Sequence, residues 1–99
     1  RIGCDKMSIL NIEGIFNVFK EWRIIINEEV FQKIKDKEMD QMIYLLDSNN
    51  IVIAKAIFVR PVKPLPNGKT SISLVIKEIM NKSEIKDTVF FIFKEDLSE

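Results

Sequence analysis

The chain has 99 residues, 46% of them hydrophobic, with 15 basic and 15 acidic side chains and no histidine. That length suits one domain, and the charge balance leaves no global field drawing it toward nucleic acid or a membrane surface. The single cysteine, Cys4, excludes an internal disulfide, and the lack of histidine excludes imidazole bases and imidazole metal ligands. A cytoplasmic setting is expected, since no apolar stretch approaches the roughly 20 residues that span a bilayer and no basic-then-apolar leader is visible. Residues 1–6 (RIGCDK) read as a disordered or appended start, and 7–95 as the folded domain.

Residues 7–20 (MSILNIEGIFNVFK) are dominated by β-branched and aromatic types. They read as one long strand or two short ones broken at Gly14, although Ile9, Ile12, Phe16 and Phe19 would also line one helix face. Glu21-Trp22 is expected to turn a tight corner into a strand over 23–26. Asn27 suits a helix N-cap, with Glu28 and Glu29 favoured in the positive first turn and Val30, Phe31 and Ile34 forming the apolar stripe of a helix over about 28–37. After Asp40, MIYLL reads as a buried strand, and Asp47-Ser48-Asn49-Asn50 as a turn. Residues 51–59 (IVIAKAIFV) form the clearest strand. The three prolines and Asn-Gly of 61–68 make a loop, and 72–75 resume a strand. Ile76, Ile79 and Met80 predict a second short helix over about 76–83, followed by a last strand over 89–93 and a fraying polar tail.

The predicted order is ββαβ twice, with half-units at about 7–47 and 51–95. Residues 24–47 and 72–95 share a plan. Each has a β-like run, a Glu before a β-branched residue (Glu29-Val30, Glu78-Ile79), a Lys-bearing turn, then an Asp, one polar residue and an apolar run (Asp40-Gln41-MIYLL, Asp87-Thr88-VFFIF). The expected fold is mainly β with two short helices, a small pseudo-twofold β-barrel. The shared plan resembles the AbrB-like swapped-hairpin unit and the related double-psi and RIFT barrels, together the cradle-loop barrels. Their hallmark is a Gly-Asp pair before the strand that follows the helix. Here Asp40 and Asp87 match, while Met39 and Lys86 stand where the Gly belongs. The resemblance implies a barrel closed by one chain carrying both units, and DNA binding in transcription regulation if the likeness to AbrB-like regulators holds. An open α+β sandwich is the structural alternative.

Between Ser48 and Lys77 there is no acidic residue, while Lys55, Arg60, Lys63, Lys69 and Lys77 all occur. Converging on one surface, these cations would neutralise the phosphates of DNA or another polyanion. The plain reading is a solvated loop with charged strand ends that discourage edge-to-edge pairing. Asn67-Gly68-Lys69-Thr70 looks like the end of a phosphate-binding loop, but Lys63 occupies the position of the required first Gly and a strand follows. The acidic cluster Asp36, Glu38 and Asp40 lacks the Gly and terminal Glu of a calcium loop. Asp40 and Asp87 each precede a strand in the same way, which favours matched turn anchors over a catalytic pair. Trp22 and Tyr44 read as core or rim residues. The expectation is a non-enzymatic binding domain, monomeric or homodimeric, without cofactor or metal, touching nucleic acid through stretch 55–77. The alternatives are a protein-interaction or adaptor domain, or a small-ligand binder of the RIFT type.

Overall fold

A computed structural model describes residues 9–35, 41–80 (backbone only at 60–62) and 84–94, with the backbone of 3–4 and 97–98. The elements are β1 (Gly3–Cys4), β2 (Leu10–Asn11), β3 (Gly14–Val18), β4 (Glu21–Ile26), α1 (Glu28–Ile34), β5 (Met42–Leu46), β6 (Val52–Pro64), β7 (Thr70–Ile79), a 3₁₀ turn (Ile85–Asp87), β8 (Phe90–Phe93) and β9 (Leu97–Ser98). β1 pairs with β9. The other seven strands form one antiparallel sheet in the order β2-β8-β5-β6-β7-β4-β3, curled into a half-barrel. Both edges of this sheet belong to one run of chain. β2 pairs with β8 and β3 with β4, and between them Ile12 N–H donates to Val89 O (3.0 Å) and Glu13 N–H to Ile25 O (2.7 Å).

Strand periodicity explains which side is buried. Ile24 and Ile26 of β4, Ile43 and Leu45 of β5, Ile72 and Leu74 of β7, and Phe91 and Phe93 of β8 alternate with more exposed neighbours or lie in fully apolar runs, and all join one core. Phe58, Phe91 and Phe93 meet edge to face, with ring centroids 5.5–6.0 Å apart, the arrangement aromatic quadrupoles favour. Asn27 caps α1 as expected, its Oδ1 accepting from Val30 N–H at 2.8 Å. A helix of this length is unstable alone. Val30 and Ile34, buried against the sheet, hold it.

Four expectations are corrected. The second helix is absent from 76–79, where the chain continues β7. Three apolar residues at helical spacing lose to a ten-residue strand of β-branched composition with a long partner: Lys55 faces Glu78, Ala54 faces Ile79, and Met80 N–H donates to Ile53 O (2.7 Å). The corner falls at Phe19-Lys20, with Glu21 and Trp22 already in β4. The bend in the first strand lies at Ile12-Glu13, where the pairing partner changes, and not at Gly14. Pro61 and Pro64 lie within β6, and the turn is confined to 65–69. β5 pairs with β6 only as far as Ile57, so these prolines fall where β6 is bonded on one side, the setting in which a strand tolerates a missing N–H. No helix among the described residues is long and apolar enough to cross a membrane.

Candidate functional site

The five cations of stretch 55–77 are strung along the β6–β7 hairpin. Lys55 stands opposite Glu78, its Nζ 3.6 Å from Glu78 Oε1 and 5.9 Å from the Tyr44 ring centroid. Lys77 is exposed and is the extra residue where the register slips between the Lys55–Glu78 and Ala56–Ile76 pairs. Arg60 lies in the second irregularity, between Val59 and Lys63. Lys63, exposed, and Lys69 sit near the turn at the other end. At about 3.3 Å per residue, Lys55 and Lys63 are roughly 26 Å apart along β6. Lys55 and Lys77 thus share one end of the hairpin, and Lys63 and Lys69 the other.

At the turn end, Lys69 Nζ bonds Glu13 Oε1 at 3.0 Å, joining the β6–β7 turn to the bend between β2 and β3. This hydrogen bond and charge hold the Glu13 carboxyl below its usual range, with a smaller contribution from Asn27 Nδ2 at 3.3 Å. Beside the pair, Glu28, Phe31, Pro64, Leu65 and Thr70 line a cleft of about 430 Å³ between α1 and the turn. Around it the backbone is closed: Leu65 N–H donates to Lys69 O, Gly68 N–H to Leu65 O, and Lys69 N–H to Asn67 Oδ1.

The opposite end is built differently. β3 and β4 are joined by two residues, Phe19 (φ 51°) and Lys20 (φ 67°). Positive φ at both positions gives the turn whose twist matches the strands, but Asn and Gly are the residues that adopt it easily. A bulky aromatic held there is strained. Phe19 is 98% exposed. β7 runs on past this turn, since its last partner in β4 is Trp22, opposite Leu74. Lys20, Glu21, Trp22, Val75, Ile79 and Ile85, with Val59, Leu74 and Ile76, line a cleft of about 430 Å³. Val75 is 43% and Ile79 57% exposed. Its lining is mixed, apolar side chains of β7 on one side and the charged Lys20 and Glu21 on the turn side. Covering the exposed half of such a side chain contributes about 1 kcal/mol.

Arg23 stiffens the neighbouring ladder. Its Nε donates to Ser71 Oγ (2.8 Å) and its Nη1 to Ser73 Oγ and to Glu21 Oε2 (3.1 Å), spanning β4 and β7 over two buried hydroxyls. Left alone, each hydroxyl would carry the penalty of an unsatisfied buried group, about 1–3 kcal/mol.

Asp87 lies exposed in the 3₁₀ turn and contributes its N–H to Glu84 O (3.0 Å). The side-chain bond closing that turn comes from Thr88, whose Oγ1 donates to Ile85 O (2.7 Å). Asp40, with Asp36 and Glu38, lies outside the described residues. Sequence reasoning left Phe19, Val75 and Ile79 unassigned. The available signal was the apolar Phe19, five residues beyond the β3 glycine Gly14, followed at once by the charged pair Lys20-Glu21. Comparison with protein families, curated proteins and solved structures finds no match for this chain.

Proposed function

We propose that the chain is a non-enzymatic binding domain that takes a protein partner in the cleft beside the Phe19-Lys20 turn. The carrying observation is a cleft that holds the exposed Val75 and Ile79 and is bordered by Lys20, the neighbour of a fully exposed aromatic in a left-handed conformation. Large apolar side chains exposed together in a cleft mark interaction sites, and strained backbone persists where function retains it. The fitting partner is an amphipathic segment that buries apolar side chains against Trp22 and Ile79 and meets Lys20 and Glu21 with charge at the rim.

The fold reading offered with it is a cradle-loop barrel of two fused halves. Its support is the pairing pattern. Exchanging β2 and β3 together with β6, β4 with β7, and β5 with β8 turns the β3–β4 pairing into β6–β7 and the β5–β6 pairing into β8–β2. The same exchange maps β4–β7 and β5–β8 onto themselves. α1 and the 3₁₀ turn then occupy equivalent places in the chain order.

Polyanion binding through stretch 55–77 is the second reading, favoured by exposed Lys63 and Lys77, which make no ion pair with a described residue. The ion pairs of Lys55 and Lys69 and the hairpin's length weigh against one continuous surface. One experiment separates the two. A photo-crosslinking amino acid at Phe19 is used for capture in cells, in parallel with heparin retention at about 0.15 M salt. The protein reading expects a discrete adduct lost in Ile79→Asp, kept in Lys63→Ala with Lys77→Ala, and no heparin retention. Retention lost with the two lysines, and no adduct at Phe19, would sink it in favour of the polyanion.

A further inference from the structure

Among the described residues, β3 ends the sheet on one side and pairs with one strand, β4. Val18 and Glu21 close a two-residue turn, so they form a hydrogen-bonded pair, and so do Phe16–Arg23 and Gly14–Ile25. The peptide groups of Ile15 and Asn17 therefore point away from β4, toward the open edge. Natural edges are blunted by charge, proline or a covering element. β3, reading GIFNV, has neither charge nor proline, and Phe16 and Asn17 on it are exposed.

This edge is complementary to itself. We propose that two copies of the chain associate by antiparallel pairing of β3 with β3 about a twofold axis through Phe16. In that register Ile15 faces Asn17 of the second copy and Asn17 faces Ile15. Two hydrogen-bonded pairs result, and they satisfy every outward N–H and C=O of both residues in both copies. Phe16 meets its symmetry mate at a non-hydrogen-bonded position, with Cα atoms about 4.5 Å apart, where aromatic pairs stabilise antiparallel strands. The net charge of zero opposes no association. No shift by one residue satisfies the same groups, because it would set the outward amides against residues whose own peptide groups face β4. Five residues bury less than the about 1,200 Å² of a standard interface, so the dimer is weak and concentration-dependent. The inference rests on the β3 edge alone and is independent of the partner cleft.

Sedimentation velocity from about 10 µM to 1 mM tests it. The wild-type chain is expected to shift from monomer to dimer over this range. Asn17→Pro removes an outward donor without touching the β4 ladder, and Phe16→Lys sets like charges face to face; each should weaken the dimer about tenfold or more. Should the proline variant fail to fold, judged by circular dichroism, the lysine variant decides. Register is read by oxidation in a Cys4→Ser background. Phe16→Cys should form a covalent dimer. Val18→Cys, whose mate would lie about 13 Å away by strand rise, should not. A chain monomeric at 1 mM, a dimer indifferent to both edge variants, or equal crosslinking at 16 and 18 overturns the proposal.

Discussion

The β3–β4 and β6–β7 hairpins lie side by side across the β4–β7 ladder, yet their turns, at opposite ends of it, are made in opposite ways. The β6–β7 turn uses residues suited to its geometry. Gly68 takes the positive φ of 84°, Asn67 accepts from the Lys69 N–H, and Lys69 is anchored to Glu13. The β3–β4 turn demands positive φ of Phe19 and Lys20, neither suited to it, and leaves the aromatic ring in solvent. One turn therefore agrees with its local preferences and is tied into the molecule. The other opposes them and is presented outward. The difference teaches where to look: local preference is obeyed at the anchored turn and overridden at the turn beside the cleft of Val75 and Ile79.

The largest expected effect is at the conforming turn. Gly68→Val forces a β-branched residue to a φ of 84°, with no atom within 4 Å of the added Cβ, so the penalty is conformational alone. Urea unfolding should show a loss of about 1–3 kcal/mol, with Gly68→Asn close to wild type. A wild-type midpoint in the valine variant would break the contrast.

At the opposing turn the sign reverses. Replacing Phe19 and Lys20 by Asn and Gly relieves the strain and should raise stability by about 1 kcal/mol in urea unfolding. A destabilised double variant would mean that Phe19 supports the fold, and the contrast would fail.

The smallest effect concerns the anchor itself. Lys69 holds the Glu13 carboxyl below its ordinary range. A lowered folded pKa stabilises above the unfolded value, and that contribution is lost as pH falls through the folded one, so the link between turn and bend weakens only in acid. Both groups are over a third exposed, so solvent and salt screen the pair and the stability change is slight. The cleaner readout is carboxyl titration by NMR: Lys69→Met should move the Glu13 midpoint upward. An unmoved midpoint would show that the ion pair does not form in solution.

Much of the fold was legible in residues that carry their own local instruction. The runs MIYLL, IVIAKAIFV and FFIF became β5, most of β6 and β8. Asn27 became the N-cap, and Asp47 Oδ1 accepts from the N–H groups of Asn49 and Ile51 in the expected turn. The apolar spacing at Ile76, Ile79 and Met80 misled, because three residues at helical period carry little weight against a ladder to β6. The break at Gly14 and the corner at Glu21-Trp22 were placed by residue type, while the pairing put both elsewhere.

The candidate site was less legible still. Stretch 55–77 is visibly basic, but the carboxylates that meet Lys55 and Lys69 come from Glu78 and from Glu13, the latter 56 residues away. By itself the sequence determined that this chain is mainly β, which runs form most of its strands and where α1 starts, because side-chain period and capping act within a few residues. Only the tertiary structure decided that residues 10–18 would border both edges of the sheet, that β7 would outrun β4, and that Phe19 would stand in solvent. Those outcomes depend on which strand lies across the ladder, and such pairings join residues far apart in the chain.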